Sequence, residues 1–354
     1  MNRKFLLPFA PFITLVAGLS GPVFAQEEAI ARREAVLTAM SVAYYASSDA
    51  LKKAEELKTD IDKFVGAPSE VNLVMAKLGW ISTRLPFLQL QNFLWIDVKK
   101  AGAERFRGKL DGRPVAIDVV EQIIADATTY PVINAIVLRQ TALKMEGKPI
   151  TGFAVLEALM WLKGNEDHLP FLPSAANGKR RRDYLSACAQ LLVEDLGGVA
   201  VEFLPEREDN TRGVLQAMDP EDGLAAIMTG QAKFVAREIA LTRLEKPKGT
   251  MSYSKTTHSD ILHGIAGVAN VLAGAYYGTD GELKVQGTGV LVAVGSDDEK
   301  QLMALRGAIN EATTKASRLP RPLSVAMESD DPEHKKRIDE CQTAVKALAV
   351  ELAK

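Results

Sequence analysis

From Glu27 to Phe64 the chain contains neither proline nor glycine, and Leu57, Ile61 and Phe64 step by four and three residues. An unbroken stretch of that length with a helical period predicts one long helix whose apolar face other elements must cover. The next segment repeats the pattern after a join at Gly66 and Pro68. There Val74, Leu78, Ile81, Leu85 and Leu88 step by four, three, four and three, the seam expected of a helix packed in a bundle. Pro86 lies inside this pattern, so the helix is expected to kink or end near Leu85. The fold class that follows is all-α, with two up-and-down helical bundles packed side by side.

A third helix is expected from about Pro114 to Glu146, bent or interrupted at Tyr130-Pro131, and a fourth begins near Thr151. Gly164 to Gly178, with Pro170, Pro173 and an Asn-Gly pair, is the longest connector of the first half and sets the expected boundary. The predicted organisation is a signal peptide over 1–25, an N-terminal helical bundle over 26–170 and a C-terminal helical bundle over 171–354. Helices are expected in the second half near Arg181 to Phe203, Glu221 to Leu244, Thr257 to Tyr277, Asp298 to Arg318 and Pro332 to Ala353. Val285 to Gly295 is β-rich enough for a short hairpin.

Arg3 and Lys4 carry the only two charges before Glu27, and the apolar run Phe5 to Leu19 leads to small residues ending at Val23-x-Ala25. This is the pattern of a secretory signal cut before Gln26, which predicts an exported protein of the bacterial periplasm. An uncleaved anchor is the alternative, but Pro8 and Pro11 interrupt the run, which is short for a membrane span. No later segment reads as a span. With Arg3 and Lys4 removed, the 43 basic and 45 acidic residues become 41 and 45, a net charge of −4. A nucleic-acid binder is expected to show the opposite balance. The one basic run, Lys179-Arg180-Arg181-Arg182, stands beside Asp183 and reads as the start of a solvated helix. Cys188 and Cys341 can form one disulfide in an oxidising compartment, although the sequence does not show whether their backbones approach.

Glu157 is the single charge in the apolar helix Ile150 to Leu162, with Phe153 four residues before it and Trp161 four after. Burying a lone carboxylate costs several kcal/mol, so Glu157 is expected to hold a cation, a donor or a proton; a narrow wet stripe on the helix is the alternative. On the second helix Trp80, Arg84, Phe87 and Gln91 form a stripe rotated away from the Val/Leu seam, and Arg84 is a natural partner for Glu157. The alternative is an Arg that snorkels to water beside packed rings. Thr257 is placed to cap a helix with Asp260 as the capping-box acid, which puts His258 in the first turn as a neutral imidazole open to a ligand; a surface histidine beside a cap is the alternative and the commoner case.

Catalytic motifs are missing from the sequence: the four histidines form no metal-spaced pair, and no phosphate loop, nucleophile elbow or dinucleotide fingerprint is present. No catalytic residue, metal set or cofactor is therefore predicted. The expected partner is a small ligand or an envelope protein, not nucleic acid.

The segments Trp80-x-x-x-Arg84-x-Pro86-Phe87, Gly152-Phe-Ala-Val-Leu-Glu157-Ala-Leu-Met-Trp161, Arg180-Arg-Arg-Asp-Tyr184-Leu and Ser254-x-x-Thr257-His258-Ser-Asp260, in that order, resemble the imelysin-like proteins. These are exported helical bacterial proteins grouped with metallopeptidases and associated with iron uptake. The resemblance implies a helical fold over nearly the whole chain and an inter-domain cleft, which Trp80, Arg84, Glu157 and His258 are expected to line as ligand-binding residues. It also implies a Gly-x-His-x-x-Glu motif suited to a metal, and here the chain departs: Gly152 and Glu157 are present but Ala154 stands at the histidine position. Gln91 stands where an acid is expected, and Lys246-Pro-Lys-Gly-Thr replaces an acidic, His-containing stretch. The expectation is a binding protein with a degenerate metal site. The competing expectation is a metal-dependent peptidase using Glu157 and His258.

Overall fold

The computed structural model describes residues 21–98, 102–145, 147–161, 164–245, 253–295 and 298–354. The signal-like run Met1 to Leu19 and the replacement segment Lys246 to Thr250 lie outside these residues. The helices are α1 (Gly21–Gly66), α2 (Glu70–Leu90), α3 (Arg107–Asp111), α4 (Ile117–Ala125), α5 (Ala135–Lys144), α6 (Phe153–Trp161), α7 (Gly178–Glu202), α8 (Thr211–Ala217), α9 (Pro220–Lys233), α10 (Thr257–Ala273), α11 (Val290–Gly295), α12 (Glu299–Ser317), α13 (Leu323–Met327) and α14 (Pro332–Leu352). A π-helical segment, Phe234–Glu245, continues α9, and an antiparallel pair, β1 (Ala275–Tyr277) with β2 (Leu283–Gln286), is the one sheet among the described residues. The molecule is all-α in class.

α1 organises the rest. Its buried face is largely alanine (Ala35, Ala39, Ala43, Ala46, Ala50, Ala54) before giving way to Leu57, Ile61 and Phe64. A stripe of such small side chains lets neighbouring helices approach closely, and α2, α7, α9 and α11 all pack on this one helix. The hairpin is hooked to it as well: Asp49 accepts hydrogen bonds from the Tyr276 hydroxyl and the Thr279 amide, both at 2.9 Å. The buried apolar residues of both halves form one continuous cluster.

Several expectations need correction. On α2 most of the Val/Leu seam does not face the core: Val74 is 46% and Leu78 54% exposed and of the seam only Leu88 is buried, whereas Leu73, Ala76, Trp80, Thr83, Arg84 and Phe87 are buried. Two stripes competed for one interior, and the aromatic and cationic stripe took it because its rings and guanidinium meet α6 and α10. The helix also runs through Pro86 to Leu90, since the buried Phe87, Leu88 and Leu90 hold its last turn in place. The helix expected over 114–146 is interrupted around Tyr130-Pro131, as expected, but the break is wide: α4 ends at Ala125 and α5 begins at Ala135. The helix expected to reach Tyr277 ends at Ala273, where Gly274 adopts φ +69°, a left-handed cap that glycine adopts without strain. Tyr276 thereby becomes a strand residue, and of the β-rich stretch only its start pairs, with Val290–Gly295 helical.

The basic run opens α7 but is not simply solvated. Arg180 donates to the carbonyls of Ile123, Ile124, Asp126 and Tyr130, so it closes the C-terminal end of α4. Arg181 grips Glu121 with both terminal nitrogens, and Arg182 donates to the Phe171 carbonyl. α7 is long and apolar enough by composition to cross a membrane, contrary to the reading that no later segment is, but 61% of its apolar window is buried here, as in a core helix. Cys188 and Cys341 are both buried free thiols.

Candidate functional site

Every residue from Phe153 to Met160 is buried, so α6 offers no wet stripe to its one charge. Glu157 is completely buried and both of its oxygens are engaged. Oε1 accepts from the Ser254 amide at 3.0 Å and the Ser254 hydroxyl at 2.5 Å, and Oε2 lies 2.9 Å from Arg113 Nη2. The expected partner, Arg84, is elsewhere: its Nη1 lies 2.9 Å from Asp111 Oδ2 and its Nη2 lies 2.8 Å from Asp260 Oδ2. Arg84 is thus one turn of the cluster away from Glu157 and neutralises the neighbouring acids.

Arg243, near the end of the π-helical segment, completes the set. It reaches Asp111 at 3.0 Å, Asp260 at 3.1 Å and Glu238 at 2.7 Å. Five elements and one connection therefore converge: α2 brings Arg84, α3 brings Asp111, the turn after it Arg113, α6 Glu157, the π-helical segment Arg243 and Glu238, and α10 Asp260. Three guanidiniums alternate with three fully enclosed carboxylates, and Glu238 sits at the margin with 17% of its side chain exposed.

Glycine at 152 makes this convergence possible. It adopts φ +90°, and a Cβ there would lie 2.3 Å from the Lys109 carbonyl oxygen and 2.5 Å from that of Leu110. The start of α6 is thereby pressed against the end of α3, one residue before Asp111. Tyr184 donates to the Ile150 carbonyl at 2.8 Å and pins the approach from the other side.

The electrostatics follow from mutual enclosure. Burial alone raises the Asp111 carboxyl, but Arg84, Arg113 and Arg243 outweigh it and hold Asp111 well below the usual carboxylate range. Burial alone lowers the Arg84 and Arg243 guanidiniums, and the facing carboxylates reverse the sign, so both are held above their ordinary value. The stem of Arg84 is wrapped by rings, with its guanidinium carbon 5.3 Å from the Trp80 and Phe153 rings and 5.7 Å from that of Phe87. Trp80 is itself fixed by its indole N–H, which donates to the Phe153 carbonyl at 3.0 Å.

Of the four residues picked from sequence, Trp80, Arg84 and Glu157 come together through Phe153 and the ion network. His258 does not join them by any hydrogen bond or ion pair. It is half-buried at the start of α10, with its pKa lowered by burial and then by Arg321. Asp260 does not cap the helix, because the cap position is Thr256 and the Asp260 carboxylate turns inward to Arg84 and Arg243. Asp111, Arg113, Arg243 and Ser254 were missed. Arg243 was findable: Val235, Ile239 and Arg243 step by four, an Arg on an apolar stripe like Arg84. Asp111-Gly112-Arg113 has the composition of any solvated turn and carries no such signal.

Among the described residues no three His, Cys, Asp or Glu side chains are grouped to hold a metal ion. Ala154, at the place of the histidine implied by the resemblance, is completely buried. The chemistry available is that of a closed ion network, in which every carboxylate oxygen of Glu157 and Asp111 is already matched by a donor or cation.

Comparison with known proteins places this architecture. A protein from Parabacteroides distasonis assigned as an iron-regulated protein A precursor superposes with a TM-score of 0.67 at 16% identity, covering 89% of this chain and 93% of that one. An imelysin-like protein from Psychrobacter arcticum superposes with a TM-score of 0.64 at 15% identity, covering 91% and 93%. No curated protein matches by sequence. Residues 42–352 match the profile of the imelysin family, peptidase M75, and the chain belongs to that family.

Proposed function

We propose that this chain is an exported, periplasmic binding member of the imelysin family, serving iron or other metal acquisition, in which the ancestral metal position has become an ion-pair lock and no peptide bond is cleaved. The observation that carries the reading is the state of Glu157. It is the one acid retained from the expected motif, and it is enclosed with Arg113 on one oxygen and Ser254 on the other. A general base or metal ligand needs an oxygen open to substrate or ion, and this carboxylate is completely buried with both oxygens already engaged. The name of one structural neighbour, the Parabacteroides distasonis protein, mentions iron regulation, which supports the metal-acquisition setting, and the N-terminal pattern supports export.

Elemental analysis and titration calorimetry on protein purified from Gln26 onward, beside an Ala154→His variant, test the reading. Wild type is expected to hold no stoichiometric metal, and one equivalent of tightly bound zinc or iron would sink the proposal. An unfolded-protein cleavage assay is expected to show no activity above the level of a Glu157→Gln variant. Activity that disappears in that variant would move the peptidase reading to the front. Recovery in the periplasmic fraction with Gln26 as first residue is the expected outcome of fractionation and terminal sequencing.

A further inference from the structure

Arg113 differs from the rest of the cluster in what carries it. Arg84, Arg243, Glu157 and Asp260 stand on helical segments, and Asp111 ends one. Arg113 belongs to the connection between α3 and α4, where Gly112 is half-buried and Pro114 exposed, yet its side chain is only 4% exposed. Its backbone is at the surface and its guanidinium is in the core, so it enters the cluster as a plug.

The plug sits between two carboxylates from different elements. Its Nε is 3.3 Å from Asp111 Oδ1 and its Nη2 is 2.9 Å from Glu157 Oε2. Asp111 has other cations, Arg84 and Arg243, on its second oxygen. Among the described residues Glu157 has no other ion pair, only the Ser254 amide and hydroxyl. With the guanidinium gone, a completely enclosed anion remains, which a protein interior accepts only with a counter-ion or a proton.

We propose that Arg113 is the site's built-in cation: it occupies a seat between Asp111 and Glu157 that suits a divalent metal ion, and removing its guanidinium turns the cluster into a divalent-cation site. The donors then facing the seat are the carboxylate oxygens Asp111 Oδ1 and Glu157 Oε2, an all-oxygen set that selects Mg²⁺, Mn²⁺ or Ca²⁺ over thiolate- or imidazole-seeking ions. The space left by a guanidinium and its stem also admits the water molecules such ions keep. The Gly112-Arg113-Pro114 turn can leave the cluster without unwinding a helix, so the exchange of plug for ion is a local event. This inference rests on the reading of the native site as metal-free.

The test is an Arg113→Ala substitution in the full chain, melted near neutral pH with millimolar MnCl₂, MgCl₂ or CaCl₂ against sodium chloride of equal ionic strength. The melting temperature of the variant is expected to rise with the divalent ions. Wild type and Arg113→Lys are expected not to respond, and the response is expected to vanish in the Arg113→Ala/Glu157→Gln double variant. Arg113→Gln, which keeps the stem, serves if the alanine variant does not fold without ions. A folded variant whose stability follows pH but ignores divalent ions overturns the proposal, since Glu157 then takes a proton instead. Failure of both variants to fold even in millimolar divalent salt overturns it as well. Tight metal in the wild-type protein defeats the metal-free reading, whereas metal-free wild type with an ion-blind variant defeats only the plug.

Discussion

Gly152→Ala should be among the most damaging single-methyl additions in this protein. At φ +90° a Cβ adds backbone strain of about 1–2 kcal/mol. The methyl group also falls 2.3 Å from the Lys109 carbonyl oxygen, where real Cβ atoms keep at least 3.0 Å. Relief requires α6 and the end of α3 to separate by about 0.7 Å, and Asp111 and Arg113 travel with α3. The Arg113 to Glu157 contact, 2.9 Å at rest, then stretches beyond hydrogen-bonding distance. Breaking a buried pair outright costs about 3–5 kcal/mol, so strain and partial loss together amount to about 3–5 kcal/mol. Equilibrium urea unfolding should show this as a midpoint lowered by about 1 M or more. Gly307→Ala, in the middle of α12 with nothing within 4 Å of its added Cβ, should gain about 0.5–1 kcal/mol. A Gly152→Ala midpoint equal to wild type, or an equal loss in Gly307→Ala, would refute the close-approach argument.

Arg180→Ala removes the donor to four carbonyls at the end of α4 and should destabilise by about 2–3 kcal/mol, and Arg180→Lys should not restore it because an ammonium cannot reproduce the planar fork; parallel urea curves decide both. Stability should fall on acidification: Asp111 is depressed in the folded state, so its contribution is fully present above the unfolded carboxyl value near ~4 and is lost as pH drops through the folded value. Thermal melts between neutral and strongly acid pH check this, and Asp111→Asn should flatten the acid limb. Burial raises both thiols, Cys341 to about 12. Neither should react with a thiol reagent in the native protein near neutral pH, and both should react after unfolding; rapid native labelling would show that the core around α7 and α14 opens.

The helical class, the long first helix and the unusual status of Glu157 and Arg84 were legible because each rests on a period of three and four residues. What was not legible is which of two stripes on one helix turns inward. On α2 the seam from Val74 to Leu88 is the more apolar, yet burial went to Trp80, Arg84 and Phe87 because carboxylates from distant parts of the chain wait there. Hydrophobic pattern is a local quantity, and the partners of Arg84 lie at positions 111 and 260. The same reason hid Asp111 and Arg113, whose Gly-rich turn looks solvated until α6 is laid against it. It also misassigned Asp260, whose spacing suits a cap while its carboxylate answers two arginines. Capping and ion pairing compete for the same oxygen, and two buried guanidiniums outbid one backbone amide.

The alanine face of α1 has a consequence for how the chain is made. Synthesis delivers α1 first, but α7 begins at residue 178, α9 at 220 and α11 at 290, and all three pack on that helix. Through most of translation the first helix therefore has α2 as its one long neighbour, with the rest of its apolar surface wet. Final folding waits for nearly the whole polypeptide, and a nascent chain stalled before residue 220 should remain open to chaperones and proteases. Under the proposed export, delay of this kind suits a polypeptide that stays unfolded while it is threaded through a translocation channel.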